Sequence, residues 1–262
     1  MNVSATTTIR ELTATPGATR VFEKFGIDYC CGGHRTLFDA CRTASLSVEQ
    51  VVLSLAQAAA NAQTGAAPRN WQNEPLAALA AHIVDQHHSF TRQELERLER
   101  LFEKVCARHG ANHPELADAQ RVFRQLGQDL IPHMLKEEQV LFPYVARLEE
   151  AVSEQREIPQ PFFGTVRNPI KMMMTEHDTA GELLRELRRV TSGYSAPADA
   201  CVSYQTLYQA LAAFEADLHE HIHLENNLLF PRAVEMESGA APERAQTINA
   251  DFHGGKSINI SR

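Results

Sequence analysis

The chain has 262 residues, 22% of them charged and 44% hydrophobic, with a mean hydropathy of -0.31; that balance excludes collagenous, low-complexity and wholly disordered proteins. Its 25 Lys and Arg stand against 33 Asp and Glu, a net charge of -8, and an acidic surface argues against nucleic acid as a partner because phosphate binding needs a basic face. No apolar run approaches the ~18 to 20 residues that cross a bilayer, and the amino terminus MNVSATTTIRELTATPG lacks the basic and then apolar parts of a secretory signal, so a cytoplasmic protein with no membrane partner is expected.

Residues 1–60 carry two short helical patterns with Cys30-Cys31-Gly32-Gly33 between them, a small helical domain. Residues 61–74 are polar and rich in Ala, Gly, Gln and Asn around Pro68, and read as a linker. Pro75 opens a run in which Leu76, Leu79, Ile83, His87, Leu98, Leu101, Phe102 and Val105 recur at helical steps. Three more helical runs follow, from about Pro114 to Leu148, Pro169 to Val190 and Asp199 to Met236. Long helices joined by short polar connections predict an all-α protein, an up-down-up-down four-helix bundle over residues 75–236. Residues 237–262 show no periodicity and are expected to form a mobile tail.

The bundle repeats itself. His133 and Glu137 precede Leu141-Phe142-Pro143, and His221 and Glu225 precede Leu229-Phe230-Pro231, the same H-x-x-x-E-x-x-x-L-F-P phrase. His88 and His177 sit at matching distances upstream, which suggests two αα-hairpins related by a pseudo-two-fold axis. Residues four apart lie on one helical face, so each phrase aims an imidazole and a carboxylate at one point. Four His and two Glu converging in a bundle suit two metal ions with the carboxylates free to bridge them. Imidazole and carboxylate without thiolate point to iron or manganese ahead of a structural zinc site. Six ligands for two ions also leave room for a small diatomic or an oxo bridge. One ligand stays open on spacing alone: helical phase favours His87, repeat spacing favours His88.

As a set, these motifs resemble the bacterial repair-of-iron-centres family, di-iron proteins linked to the repair of iron-sulfur clusters damaged by nitric oxide or oxidants. Its amino-terminal module is matched by Phe25-Gly26-Ile27-Asp28-Tyr29-Cys30-Cys31-Gly32-Gly33. Its hemerythrin-like bundle is matched by His82-Ile83-Val84 leading to His88, by His133-Met134 with Lys136-Glu137-Glu138-Gln139, by Glu176-His177-Asp178, and by His221 with Leu224-Glu225-Asn226-Asn227. The resemblance covers about residues 8 to 235 and settles His88 over His87. It implies two iron ions per chain, ligated by His88, His133, His177 and His221 and bridged by Glu137 and Glu225. It also implies a role in the stress response, supporting repair of damaged clusters by iron delivery, with the damaged proteins as partners. A nitric oxide or oxygen-binding protein that captures or reduces the gas uses the same ligands and stays open beside that reading, as does whether the centre turns over at all.

Five Cys, an odd number in a reducing compartment, are not a disulfide framework. Cys30 and Cys31 are the candidate functional thiols: adjacent at a Gly-rich turn, they suit a metal, a transferred nitrosyl group or redox exchange. Vicinal thiols near a hinge are also compatible with a homodimer. Cys41, Cys106 and Cys201 are expected in or beside the core. His219 and His223 are expected on a solvated face, His223 about 200° round the helix from His221. His82 and His87 are expected to pack beside the centre or hold a ligand's tautomer, and His109 and His113 to lie in an exposed loop beside Gly110. Pro132, directly before His133, is where a helix is expected to kink.

Overall fold

The computed structural model describes residues 4–62 and 71–239. The middle of the expected linker and nearly all of the expected tail lie outside those residues. Among the described residues every regular element is helical, apart from an isolated bridge between Thr8 and Thr36.

Residues 1–60 were expected to hold two helices; the structure has four, α1 (Ile9–Thr13), α2 (Ala18–Phe25), α3 (Leu37–Thr43) and α4 (Val48–Ala62). The extra ones are too short for periodicity to reveal, and their ends are set by capping. Thr8 accepts from the Glu11 backbone while Glu11 accepts from the Thr8 backbone, a reciprocal cap. Thr36 caps α3 through the Asp39 N–H. Ile9, Phe22, Leu37, Val51 and Leu55 are almost wholly buried in a core of their own.

The remaining residues form four long rods. The first is α5 (Leu76–His82) and α6 (Ser89–His109), joined by a π-helical turn, Ile83–His88. The second is α7 (Glu115–Lys136) and α8 (Phe142–Ser153), joined by the π turn Glu137–Leu141. The third is α9 (Arg167–Val190), and the fourth is α10 (Val202–Leu224) and α11 (Phe230–Gly239), joined by the π turn Glu225–Leu229. The L-F-P phrase explains two of these turns. Pro143 and Pro231 have no N–H to return to the carbonyl four residues back, and the wider turn absorbs the lost bond. Pro132 produces no such break: it is exposed, as is Gln128, whose freed carbonyl can meet water, and α7 runs through it. Carboxylates tie rod ends together: Glu149 accepts from the Leu76 and Ala77 backbones at 2.7 and 2.9 Å, and Glu237 from Val166 at 2.9 Å.

The apolar interior of the rods falls into two clusters. One contains Leu98, Phe102, Phe123, Leu126, Leu184, Leu211 and Leu218. The other contains Leu76, Ile83, Leu141, Tyr144, Ile170, Met173 and Phe230. On the first three rods the candidate ligands lie in sequence between the residues of one cluster and those of the other, and on the fourth the clusters meet between His221 and Glu225, at Ile222 and Leu224. A buried polar layer thus separates two dry cores.

Candidate metal centre

Six side chains make that layer: His88, His133, Glu137, His177, His221 and Glu225, each at most 2% exposed. They form two groups of donors, His88 with His221 and His133 with His177, and both Glu137 and Glu225 belong to each group. Glu137 turns one oxygen to His133 at 3.2 Å and the other to His88 at 3.4 Å. Glu225 does the same toward His221 and His177, at 3.1 Å each. Within each pair the imidazole Nε2 atoms are 3.2 and 3.0 Å apart. Spacing along one helix supplies the His133–Glu137 and His221–Glu225 halves; the pseudo-symmetric packing supplies the crossed halves. His87, the other candidate from helical phase, lies outside both groups.

The donor set fits divalent or trivalent cations and little else. Both oxygens of Glu137 and Oε2 of Glu225 are buried without a hydrogen-bond partner, and an uncompensated buried carboxylate costs several kcal/mol. Burial alone would push both carboxyls up, but the surrounding imidazoles hold Glu137 below and Glu225 well below the ordinary range. His133 shows the converse: burial works against its charge, yet Glu137 and then Glu176 and Glu225 push it up to about 10. His221, fully buried, is pushed down. Nitrogen and carboxylate oxygen without sulfur favour iron or manganese over structural zinc.

A second ring of contacts orients the imidazoles, and the sequence names its members only as parts of motifs. His88 Nδ1 donates to Glu138 at 2.7 Å, and Glu138 in turn accepts from Arg92. His133 Nδ1 donates to Glu176 at 2.8 Å, which pairs with Lys136. His177 Nδ1 donates to Asn226 Oδ1 at 2.9 Å. Partners of this kind fix which ring nitrogen faces a metal. His87 stacks on His221 at 5.8 Å and holds Asp217 at 3.0 Å, and His82 packs on Trp71, the packing role expected of both.

The largest departure from the sequence reading is on the fourth rod. His219 and His223 do not lie on a solvated face; they meet the amino-terminal module. His223 is 5% exposed, packs against Tyr29 at 5.5 Å and is pushed down to about 4 by burial, so it is neutral there. His219 Nδ1 lies 2.9 Å from Glu23, which also accepts from Tyr29. Asn227 Nδ2 reaches the Tyr29 and Cys30 carbonyls at 3.1 and 3.2 Å and His223 at 3.0 Å, while its Oδ1 accepts from Arg10 at 2.9 Å. A Cβ on Gly33 would overlap this amide, which is why the turn needs glycine there. One signal for the contact was available: His219, His223 and Asn227 recur every four residues without a Lys or Arg among them, unlike a solvated stripe.

The module thereby sets its thiols on the bundle. Cys30 is buried and packs with the cluster of Leu98 and Phe102, and Cys31 is half-buried, its Sγ 3.9 Å from the carbonyl of the candidate ligand His177. The two Sγ atoms are 3.9 Å apart, and Asp28 Oδ1 gathers the Cys31 and Gly32 N–H groups at 3.0 Å each. Asp28, Cys30 and Cys31 form a further cluster of metal-capable donors. The neighbouring Cys31 sulfur and burial push the Cys30 thiol well up, so it is held protonated. Of the other thiols Cys41 is buried and Cys106 half-buried, whereas Cys201 is exposed, contrary to expectation, because it precedes α10 outside the packed layers. His113 is also less open than expected of a loop, lying between Glu115 and Asp199.

Residues 79–233 match the family model of the hemerythrin HHE cation binding domain, more than half of the chain. Residues 6–59 match ScdA_N, a domain of unknown function. The chain is 35% identical over 219 residues to the iron-sulfur cluster repair protein YtfE of Citrobacter koseri, covering 84% of this chain and 92% of that one. It is 34% identical, with the same coverage, to the YtfE proteins of Escherichia coli O17:K52:H18 and Shigella boydii serotype 4. No helix among the described residues is long and apolar enough to cross a membrane.

Proposed function

The chain belongs to the hemerythrin-like family that includes the iron-sulfur cluster repair protein YtfE, and from that membership we propose that it supports repair of damaged iron-sulfur clusters by holding and delivering iron. Residues 75–236 would be the iron-holding bundle and residues 1–60 the module that meets the client, joined through 61–74. Two iron ions per chain would be held, one by His88 and His221, the other by His133 and His177, with Glu137 and Glu225 bridging. The observation that carries this reading is that each carboxylate divides its two oxygens between the two histidine pairs. Bound there, iron supplies redox exchange and coordination positions open to nitric oxide or oxygen.

The chain's own residues do the remaining work. Glu138, Glu176 and Asn226 orient three of the imidazoles. The two dry cores keep bulk water from the layer. Cys30 and Cys31, 3.9 Å apart and beside the His177 backbone, would receive the delivered ion or contact the damaged protein, and the chain would meet its clients in the cytoplasm. A thiolate is the ligand form of cysteine, so a cation arriving at this turn would displace the proton that the neighbouring Cys31 sulfur and burial hold on Cys30. Exposed vicinal thiols on a released module would also allow pairing with a second copy.

Metal analysis with an optical spectrum of the oxidised protein tests the centre, with two irons per chain expected. The paired change Cys30→Ser and Cys31→Ser tests delivery: iron content should persist while recovery of a damaged cluster enzyme fails. Full recovery with both thiols gone overturns delivery through this turn and leaves gas capture at the same ligands as the better reading.

A further inference from the structure

At one end of the bundle, away from the candidate iron centre in its middle, α6 ends at His109, and its 21 residues separate the two places by about 30 Å. His113 lies in the turn before α7, and Asp199 in the segment before α10. One donor atom from each of the three comes within 4.8 Å of the other two. The geometry points to a second metal site here, made by His109, His113 and Asp199, that takes a divalent cation of the zinc class.

Four observations carry it. First, the donor set is two imidazoles and a carboxylate, which suits zinc and its neighbours with water completing the shell. Second, His113 is oriented as metal-binding histidines are: Nδ1 lies 2.9 Å from Glu115, leaving Nε2 to face Asp199 at 3.1 Å from both oxygens. Third, His109 Nε2 is buried and has no hydrogen-bond partner, an arrangement that a surface ion pair between His113 and Asp199 does not explain. Fourth, both rings pack on Tyr204, at 5.4 and 5.5 Å. Tyr204 is wholly buried and hydrogen-bonds Tyr208 and Glu115, so the imidazoles are held in place before any ligand arrives. A cation there would add a clip between the α6–α7 turn and the start of α10, which the His113–Asp199 and Tyr204–Glu115 contacts already join. The inference is independent of the function proposed above, because no ligand is shared between the two places.

The test uses the full chain and zinc as the probe, with equilibrium dialysis and metal analysis of zinc and iron in the same samples. Wild type should bind one zinc more than each of His109→Gln, His113→Gln and Asp199→Asn, and each variant's affinity for that ion should fall at least tenfold. Iron content should be the same in all four, which reports the bundle centre separately. Zinc should also raise the thermal midpoint of the iron-loaded wild type and leave that of His113→Gln unmoved. Equal zinc counts in wild type and variants, or a wild type that takes no zinc beyond its iron centre, overturns the site.

Discussion

Of the places that gather metal-capable side chains among the described residues, two are built in opposite ways. The histidine–glutamate layer stands on four long rods between two dry cores, with all six donors inaccessible to water. The Asp28, Cys30 and Cys31 cluster stands on a turn between short helices, one of its members exposed and another half-buried. The first is fixed by the packing of whole helices; the second by a few side-chain amides and one arginine. Rigid helices hold a geometry more precisely than turns, while turns can move without unfolding the domain. A storage place and a place of exchange would be expected to differ in this way.

The largest effect should come from removing the shared members of the layer. Glu137→Ala combined with Glu225→Ala should abolish the iron binding proposed for the layer, since each carboxylate faces both histidine pairs; metal analysis that still finds two irons per chain refutes the bridging assignment.

Next in size is the pH response of the iron-free chain. His133, raised to about 10 against the pull of burial, stabilises the fold fully below the ordinary imidazole range and loses that contribution as pH climbs toward 10. Glu176, lowered to about 2 chiefly by His133, stabilises above the ordinary carboxyl range and loses its contribution as pH falls toward 2. The urea midpoint of iron-free protein should therefore be highest between about pH 5 and 6.5 and decline on either side. A midpoint that stays flat up to pH 10 would contradict the charge assignment within the layer.

A smaller effect should separate the two regions. Asn227→Leu leaves the six candidate ligands intact but removes the hydrogen bonds to Tyr29, Cys30, His223 and Arg10. Docking should weaken by about 2 kcal/mol, roughly 30-fold. Hydrogen exchange over residues 29–33 should quicken accordingly, with iron content unchanged. Protection that does not change would mean that apolar packing alone seats the module. The smallest effect is expected from Cys201→Ser, an exposed thiol outside both regions; stability within about 0.5 kcal/mol of wild type and unchanged iron content should result.

What could be read from the residues, and what could not, follows the same division. The layer was legible because spacing on a helix is geometry: His133 with Glu137 and His221 with Glu225 must share a face wherever the helix goes, and repetition marked both as deliberate. The contact between module and bundle was not, because it joins Tyr29 and Cys30 to Asn227 across nearly 200 positions, and no local pattern specifies such a pairing. His223 illustrates the difference. Its direction away from the candidate ligands follows from helical phase, but what lies in that direction is a tertiary fact. The π turns fall between: Pro143 and Pro231 announce two of them, while the turn Ile83–His88 contains no proline.

Those turns have a consequence for how the bundle can change over time. A π turn amounts to one residue inserted into an α-helix, and the wider turn absorbs the rotation of about 100° that an extra residue would otherwise impose on the chain beyond it. Three of the four rods make such a turn at the level of the ligands, so the faces packed on either side of the layer keep their phase across it. The bundle behaves as two shorter bundles set end to end with a joint between them. Deleting a single residue within 138–140 would turn this segment into plain α-helix and leave Tyr144, Val145 and Leu148 facing the cluster of Leu76 and Ile83, whereas a deletion in the regular helix of α8 would rotate the residues beyond it out of that cluster.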